Sequence, residues 1–225
     1  MKQSLILLAI GSLILAGCGP SVKVTSSWKG QPETVQKFRE KNVLVIARTA
    51  DNQARTAFEI EIAKALNESG INATESYKKV PRLTPDREVT EERVKMVLDM
   101  IQSEGFDAIV LTTVKDKQQT IQTNTSGVSM GVGYGAYPGY YGGFGSYYRY
   151  PYAYGPYYSS AAYIPTGSTT TTYTTYVLET VGYNLDEAEE NQLVFVVTSE
   201  LTDPKNAYKT AEKFVVKVTE ALQQK

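Results

Sequence analysis

Among the side chains able to carry chemistry, the 225-residue sequence holds one cysteine and no histidine. This removes the commonest general base, the usual zinc ligand sets and any intrachain disulfide. Ser26, Ser27 and Ser76 therefore lack the histidine a hydrolytic triad needs, and no lysine at diagnostic spacing supplies another base. Asp51, Arg55 and Glu59 recur every four residues, which places them along one face of a helix. Structurally they read as a helix cap and an i,i+4 ion pair. Functionally, Arg55 and Glu59 read as a binding pair near the carboxyl end of a strand, where open α/β sheets take ligands and helix dipoles favour anions. The run Asp186-Glu187-Ala188-Glu189-Glu190 has oxygen enough for calcium but not the spaced, glycine-containing loop, and reads as a solvated hairpin turn. Gly131-Val132-Gly133-Tyr134-Gly135 misses the spacing of a dinucleotide-binding loop and is not flanked by a strand and a helix. The expectation is a protein that is not an enzyme, with no catalytic residues, no metal and no cofactor.

The cysteine carries the clearest signal. The chain opens Met-Lys-Gln-Ser, runs apolar over residues 5–15, and reaches Leu15-Ala16-Gly17-Cys18. A positive start with so short an apolar run is the layout of an export signal, since a membrane span needs about 20 apolar residues. Small residues directly before the cysteine resemble the lipobox of bacterial lipoproteins, whose sulfur receives a diacylglyceryl group as the preceding segment is removed. The resemblance implies loss of the signal peptide at residues 1–17 and lipid attachment at Cys18, with palmitate-type acyl chains. Each buried methylene contributes about 0.8 kcal/mol, so two or three chains hold the mature protein on a membrane without spanning it. Gly19 stands where an aspartate would signal inner-membrane retention in enteric bacteria. The expected location is therefore the cell envelope, on the periplasmic face of the outer membrane.

Twenty-three basic against 24 acidic side chains give a formal charge of −1, which offers no surplus to neutralise a phosphate backbone, so nucleic acid is excluded as a partner. With 42% hydrophobic residues the chain can build a core. Residues 18–41 are polar, broken by Gly30 and Pro32, and read as lipid anchor and tether with one short strand over 22–28 and Trp28 docking on the domain. Val43-Leu44-Val45-Ile46-Ala47 is continuously apolar, as in a strand covered on both faces. Helical spacing follows to Gly70, then a strand over 71–80, a helix from the Thr90 cap to Gly105, and a buried strand over 107–114. Beyond an insertion, strands over 174–185 and 193–201 pair as a hairpin, and Asp203 caps a last helix opened by Pro204. The whole reads as one α/β domain, a mixed β-sheet flanked by helices in the order β-α-β-α-β-(insertion)-β-β-α. Its first part covers 42–123 and its second 173–225.

The insertion, residues 124–172, holds twelve of the chain's 17 tyrosines among many glycines and prolines. It reads as a flexible, low-complexity excursion without core packing. Its rings, Tyr140, Tyr141, Tyr147 and Tyr148 among them, are amphipathic, with faces that stack and hydroxyls that bond, so the segment also reads as a binding surface for a glycan or an envelope protein.

A longer pattern runs through Ser27-Trp28, Val43-Leu44-Val45-Ile46-Ala47, Arg55, Phe58-Glu59, Leu66, Gly70, Ala73, Ser76-Tyr77 and Gly105-Phe106-Asp107. It continues with Leu193-Val194-Phe195, Ser199-Glu200 and Asp203-Pro204. It resembles a group of functionally uncharacterised bacterial lipoproteins and, more broadly, the small α/β domains of the peptidoglycan-synthase activator LpoB and the amino-terminal domain of TolB. Phe195 departs from it, standing where the pattern has a tryptophan. The resemblance implies a membrane-anchored envelope protein of non-enzymatic type, a periplasmic adaptor or binding module. The alternative is a surface-exposed structural or adhesive lipoprotein acting through the Tyr/Gly-rich insertion.

Overall fold

The computed structural model describes residues 21–79, 90–123, 143–149 and 170–223. They form one mixed α/β domain around a six-stranded sheet. The elements are β1 (Ser21–Lys29), α1 (Pro32–Arg39), β2 (Asn42–Arg48), α2 (Asn52–Glu68), β3 (Asn72–Glu75) and α3 (Glu91–Ser103). They continue with β4 (Ala108–Thr123), α4 (Phe144–Arg149), β5 (Thr170–Asn184), β6 (Leu193–Thr202) and α5 (Ala207–Gln223). The strand order is β1-β6-β5-β4-β2-β3. β2 runs parallel to β3 and β4, and the pairs β4–β5, β5–β6 and β1–β6 are antiparallel.

The continuous apolar run of β2 is explained by two covered faces. Val43, Val45 and Ala47 pack on one side against α2 and α5, through residues such as Phe58, Ile62, Phe214 and Val218. Leu44 and Ile46 pack on the other against α3 and α4, through Val94, Val97, Ile101 and Phe144. α2 starts where Asp51 accepts hydrogen bonds from the Gln53 and Ala54 N–H groups, and α3 starts where Thr90 accepts from Arg93. Both helices run into a glycine with positive φ, Gly70 at 82° and Gly105 at 83°, a conformation that ends a helix without a Cβ clash. Near the end of β5, Gly182 leaves room for the Phe195 ring, since a Cβ there would lie 2.3 Å from Cε1.

Four expectations change. The strand expected over 22–28 is present as β1, but residues 21–39 as a whole are an integral edge strand and a helix, not a tether. β1 pairs with β6 along its length, and α1 buries Phe38, whose ring meets Phe195 edge-on at 6.0 Å between centroids. Lys37 pairs with Glu187 at 2.7 Å and Lys41 pairs with Asp186, so the acidic hairpin turn is a clasp on this segment. The Asp186 carboxylate, bonded to the Lys41 ammonium, raises the lysine pKa above its ordinary value. The strand expected over 71–80 stops at Glu75, because the chain turns at Ser76–Lys78 to present Ser76 inward. The last helix begins at Ala207. Asp203 takes a φ of 51°, and Asn206 instead supplies the cap oxygen, to the Lys209 N–H. Within the stretch expected to lack core packing, α4 buries Phe144 and Tyr148 completely. Most of the remaining insertion lies outside the described residues.

Candidate functional site

The charged residues singled out in the sequence meet at the end of β2. Glu59 is fully buried, and its Oε1 accepts from the Ala47 N–H at 3.1 Å, Arg55 Nε at 3.0 Å and Ser76 Oγ at 2.7 Å. Its Oε2 accepts from the Tyr77 N–H at 2.8 Å. Arg55 Nη2 donates in turn to Ser76 Oγ at 2.9 Å. A carboxylate out of water needs this many donors, and a carboxylate has roughly four acceptor positions. Those of Glu59 are occupied by the chain itself, so the network ties β2, α2 and the turn after β3 together. Ser76, which lacks a histidine for catalysis, is the hydroxyl that bridges the pair.

A cavity opens beside this network. The chain leaves β2 over one face of the sheet through α2 and reaches the neighbouring parallel strand β4 over the other through α3. Carboxyl ends of strands at such a switch of direction form a crevice. Here it encloses about 250 Å³, under the first turns of α2 and α5. Its floor is Ala47, Phe58, Leu178 and Leu201, all buried, and its lips are Ala54 and Ala207. The inner polar groups are occupied or shielded. The Thr112 and Thr180 hydroxyls bond each other at 2.9 Å, and the Thr210 hydroxyl is buried without a hydrogen-bond partner. Of the charged lining residues, Asp51 and Lys205 are exposed at the rim, the latter 3.5 Å from Asp203, and Arg48 is buried with its guanidinium engaged by Tyr148. Such a space suits an apolar body with its polar end outside, not acid–base chemistry. Its walls come from distant parts of the chain; Ala47, Phe58 and Pro204 carried local signals of strand and helix, and only Asp51 one that also suggested a site.

The opposite face holds a second polar group. Lys115 enters at a bulge in β4 and its ammonium lies 3.0 Å from Glu179, both side chains almost wholly buried. Arg48 donates to the Tyr148 carbonyl at 3.0 Å and its guanidinium sits 4.9 Å from the centre of the Tyr148 ring. Tyr148 was expected among exposed stacking rings; it is instead buried and unable to stack on a ligand. Tyr140, Tyr141, Cys18 and the side chain of Tyr147 lie outside the described residues. Among the described residues no three His, Cys, Asp or Glu side chains come together as a metal site.

Burial pushes the Tyr148 and Tyr183 hydroxyls above the ordinary tyrosine pKa, against Arg48 and Arg93 at Tyr148 and with the Glu179 charge adding at Tyr183. In the unfolded chain both ionise near pH 10. Their folded pKa values are raised, so the stability tied to keeping them neutral is whole below about pH 10 and lost as pH climbs beyond it. Alkaline titration should therefore show tyrosinate absorbance rising in step with loss of tertiary structure, and Tyr183→Phe should move that transition upward. Full ionisation of all tyrosines in a still-folded chain would contradict the burial.

No protein-family model and no curated protein sequence matches the chain. Among solved structures, PelC from Paraburkholderia phytofirmans, a dodecamer, is similar at 12% identity with a TM-score of 0.41, covering 92% of this chain and 99% of that one. A DUF4136 family protein from Bacteroides thetaiotaomicron is similar at 12% identity with a TM-score of 0.32, covering 92% and 96%. Overlays this loose say nothing of what this chain binds. No helix of the described residues is long and apolar enough to cross a membrane.

Proposed function

We propose that the chain is a non-enzymatic, lipid-anchored protein of the bacterial cell envelope, a binding module held on the periplasmic face of the outer membrane. The observation that carries this is the unique cysteine after Leu15-Ala16-Gly17, three residues before β1 begins at Ser21. Three residues span at most about 11 Å, so a lipid on Cys18 holds the Ser21 end of the sheet directly against the bilayer, with no tether between. The partner in this reading is the membrane through the lipid, together with an envelope protein or glycan.

Cells fed an alkyne-bearing fatty acid should label the wild-type protein, and Cys18→Ser should abolish the label and leave the uncleaved precursor. Mass spectrometry of the amino-terminal peptide reads both. A cleaved, unlabelled chain in the soluble periplasm would overturn the reading. Binding is tested separately, by crosslinking in living cells: an envelope partner captured by the wild type supports the module, and none removes it.

A further inference from the structure

We propose that the cavity between α2 and α5 takes the alkyl tail of a single-chain amphiphile, a fatty acid or monoacyl lipid, from the membrane beside it. The inner wall selects the chemistry. Phe58, Leu178, Leu201 and Ala47 line it, the Thr112 hydroxyl is bonded to Thr180, and the Thr210 hydroxyl is one buried polar atom in a wall that is otherwise mainly apolar. A sugar or an anion would leave its polar groups unpaired there, at a cost that a hydrocarbon avoids. The size selects the length. An apolar cavity of about 150 Å³ takes benzene, so on the same scale about 250 Å³ takes a chain of about ten carbons.

The place selects the source. Ser21 pairs with Thr202, and Leu201 and Pro204 on either side of Thr202 line the cavity. The cavity is thus at the same end of the sheet as the start of β1, which an anchor at Cys18 would hold at the bilayer; this part of the inference rests on the anchoring proposed above. On the first turn of α5, next to the lip, Tyr208 is 44% exposed, an amphipathic ring of the type that settles at the headgroup level. A tail leaving the bilayer can enter the cavity while its head stays at the polar rim.

The test uses the mature chain, residues 18–225 carrying Cys18→Ser, titrated by calorimetry with a series of fatty acids from hexanoate to dodecanoate. One-to-one binding should tighten about fourfold per methylene up to about decanoate and then level off. Ala54→Phe and Ala207→Phe fill opposite lips, and each should weaken decanoate at least tenfold with thermal melting unchanged; the second variant serves if the first does not fold. Absence of saturable binding, affinity independent of chain length, or folded variants that bind like the wild type would each overturn the proposal. A further arm separates the sources. Isotope-labelled decanoate followed by NMR should still bind the acylated protein in phosphatidylethanolamine vesicles, whereas exclusion there would make the protein's own acyl chain the occupant and overturn the proposal. An unlabelled Cys18 would leave the titration as it is, and a failed titration would leave the label as it is, so the two readings fail separately.

Discussion

Replacing Glu59 by alanine is expected to lower the unfolding free energy by about 3–5 kcal/mol, because it leaves a buried positive charge without its counterion. Four donors lose their acceptor together: Arg55, Ser76 and the N–H groups of Ala47 and Tyr77. Arg55 cannot simply swing into water, since only 11% of its side chain is exposed. Against a typical domain stability of about 5–15 kcal/mol this is roughly a fifth or more of the whole. Urea unfolding of Glu59→Ala measures it. The double variant Arg55→Met with Glu59→Leu should recover much of the loss, since a buried pair is costly to break but cheap to replace with apolar groups. A single-variant loss under about 1 kcal/mol would mean that the network is solvated and the end of β2 free to take a ligand.

The second large effect belongs to α4. Phe144 is fully buried, with ring centroids 5.9 Å from Tyr183 and 5.5 Å from Tyr148, and its N–H donates to Gln192 at 3.1 Å. Phe144→Ala should therefore cost about 3–5 kcal/mol, the range for emptying an aromatic site in a core. It should also loosen Tyr148, whose ring packs on Phe144 and on Arg48, so protection of the α4 amides from hydrogen exchange should fall along with global stability. Unchanged stability would make α4 a passenger on the sheet. The pair of experiments probes both faces, since Glu59 holds the face under α2 and Phe144 the face under α3.

Legibility followed the range of the forces involved. The β2 run, the helix starts at Asp51 and Thr90, and the stops at Gly70 and Gly105 were readable because each is set within one or two turns of chain. The i,i+4 pair Arg55–Glu59 was readable for the same reason, but not its burial, which depends on Ser76 and Tyr77 arriving from beyond β3. The strand over 22–28 was readable, but its place in the sheet was not, because an edge strand of mixed polarity carries little periodic signal. Its partner, β6, lies about 170 residues away, as in the contact of Thr25 with Thr198. Phe144 and Tyr148 were hidden by composition, since glycine- and tyrosine-rich neighbours mask two rings that are spaced one helical turn apart.

By itself the sequence determined the class of the fold, the single thiol at Cys18 and the absence of histidine chemistry. These are properties of residue types and of neighbours along the chain. Tertiary structure decided that Glu59 is a tie within the domain, that Tyr148 is core, and that an apolar cavity lies at the Ser21 end of the sheet. Each depends on surfaces brought together from distant segments, and burial, which sets what a polar or apolar group is worth, exists only once those surfaces meet.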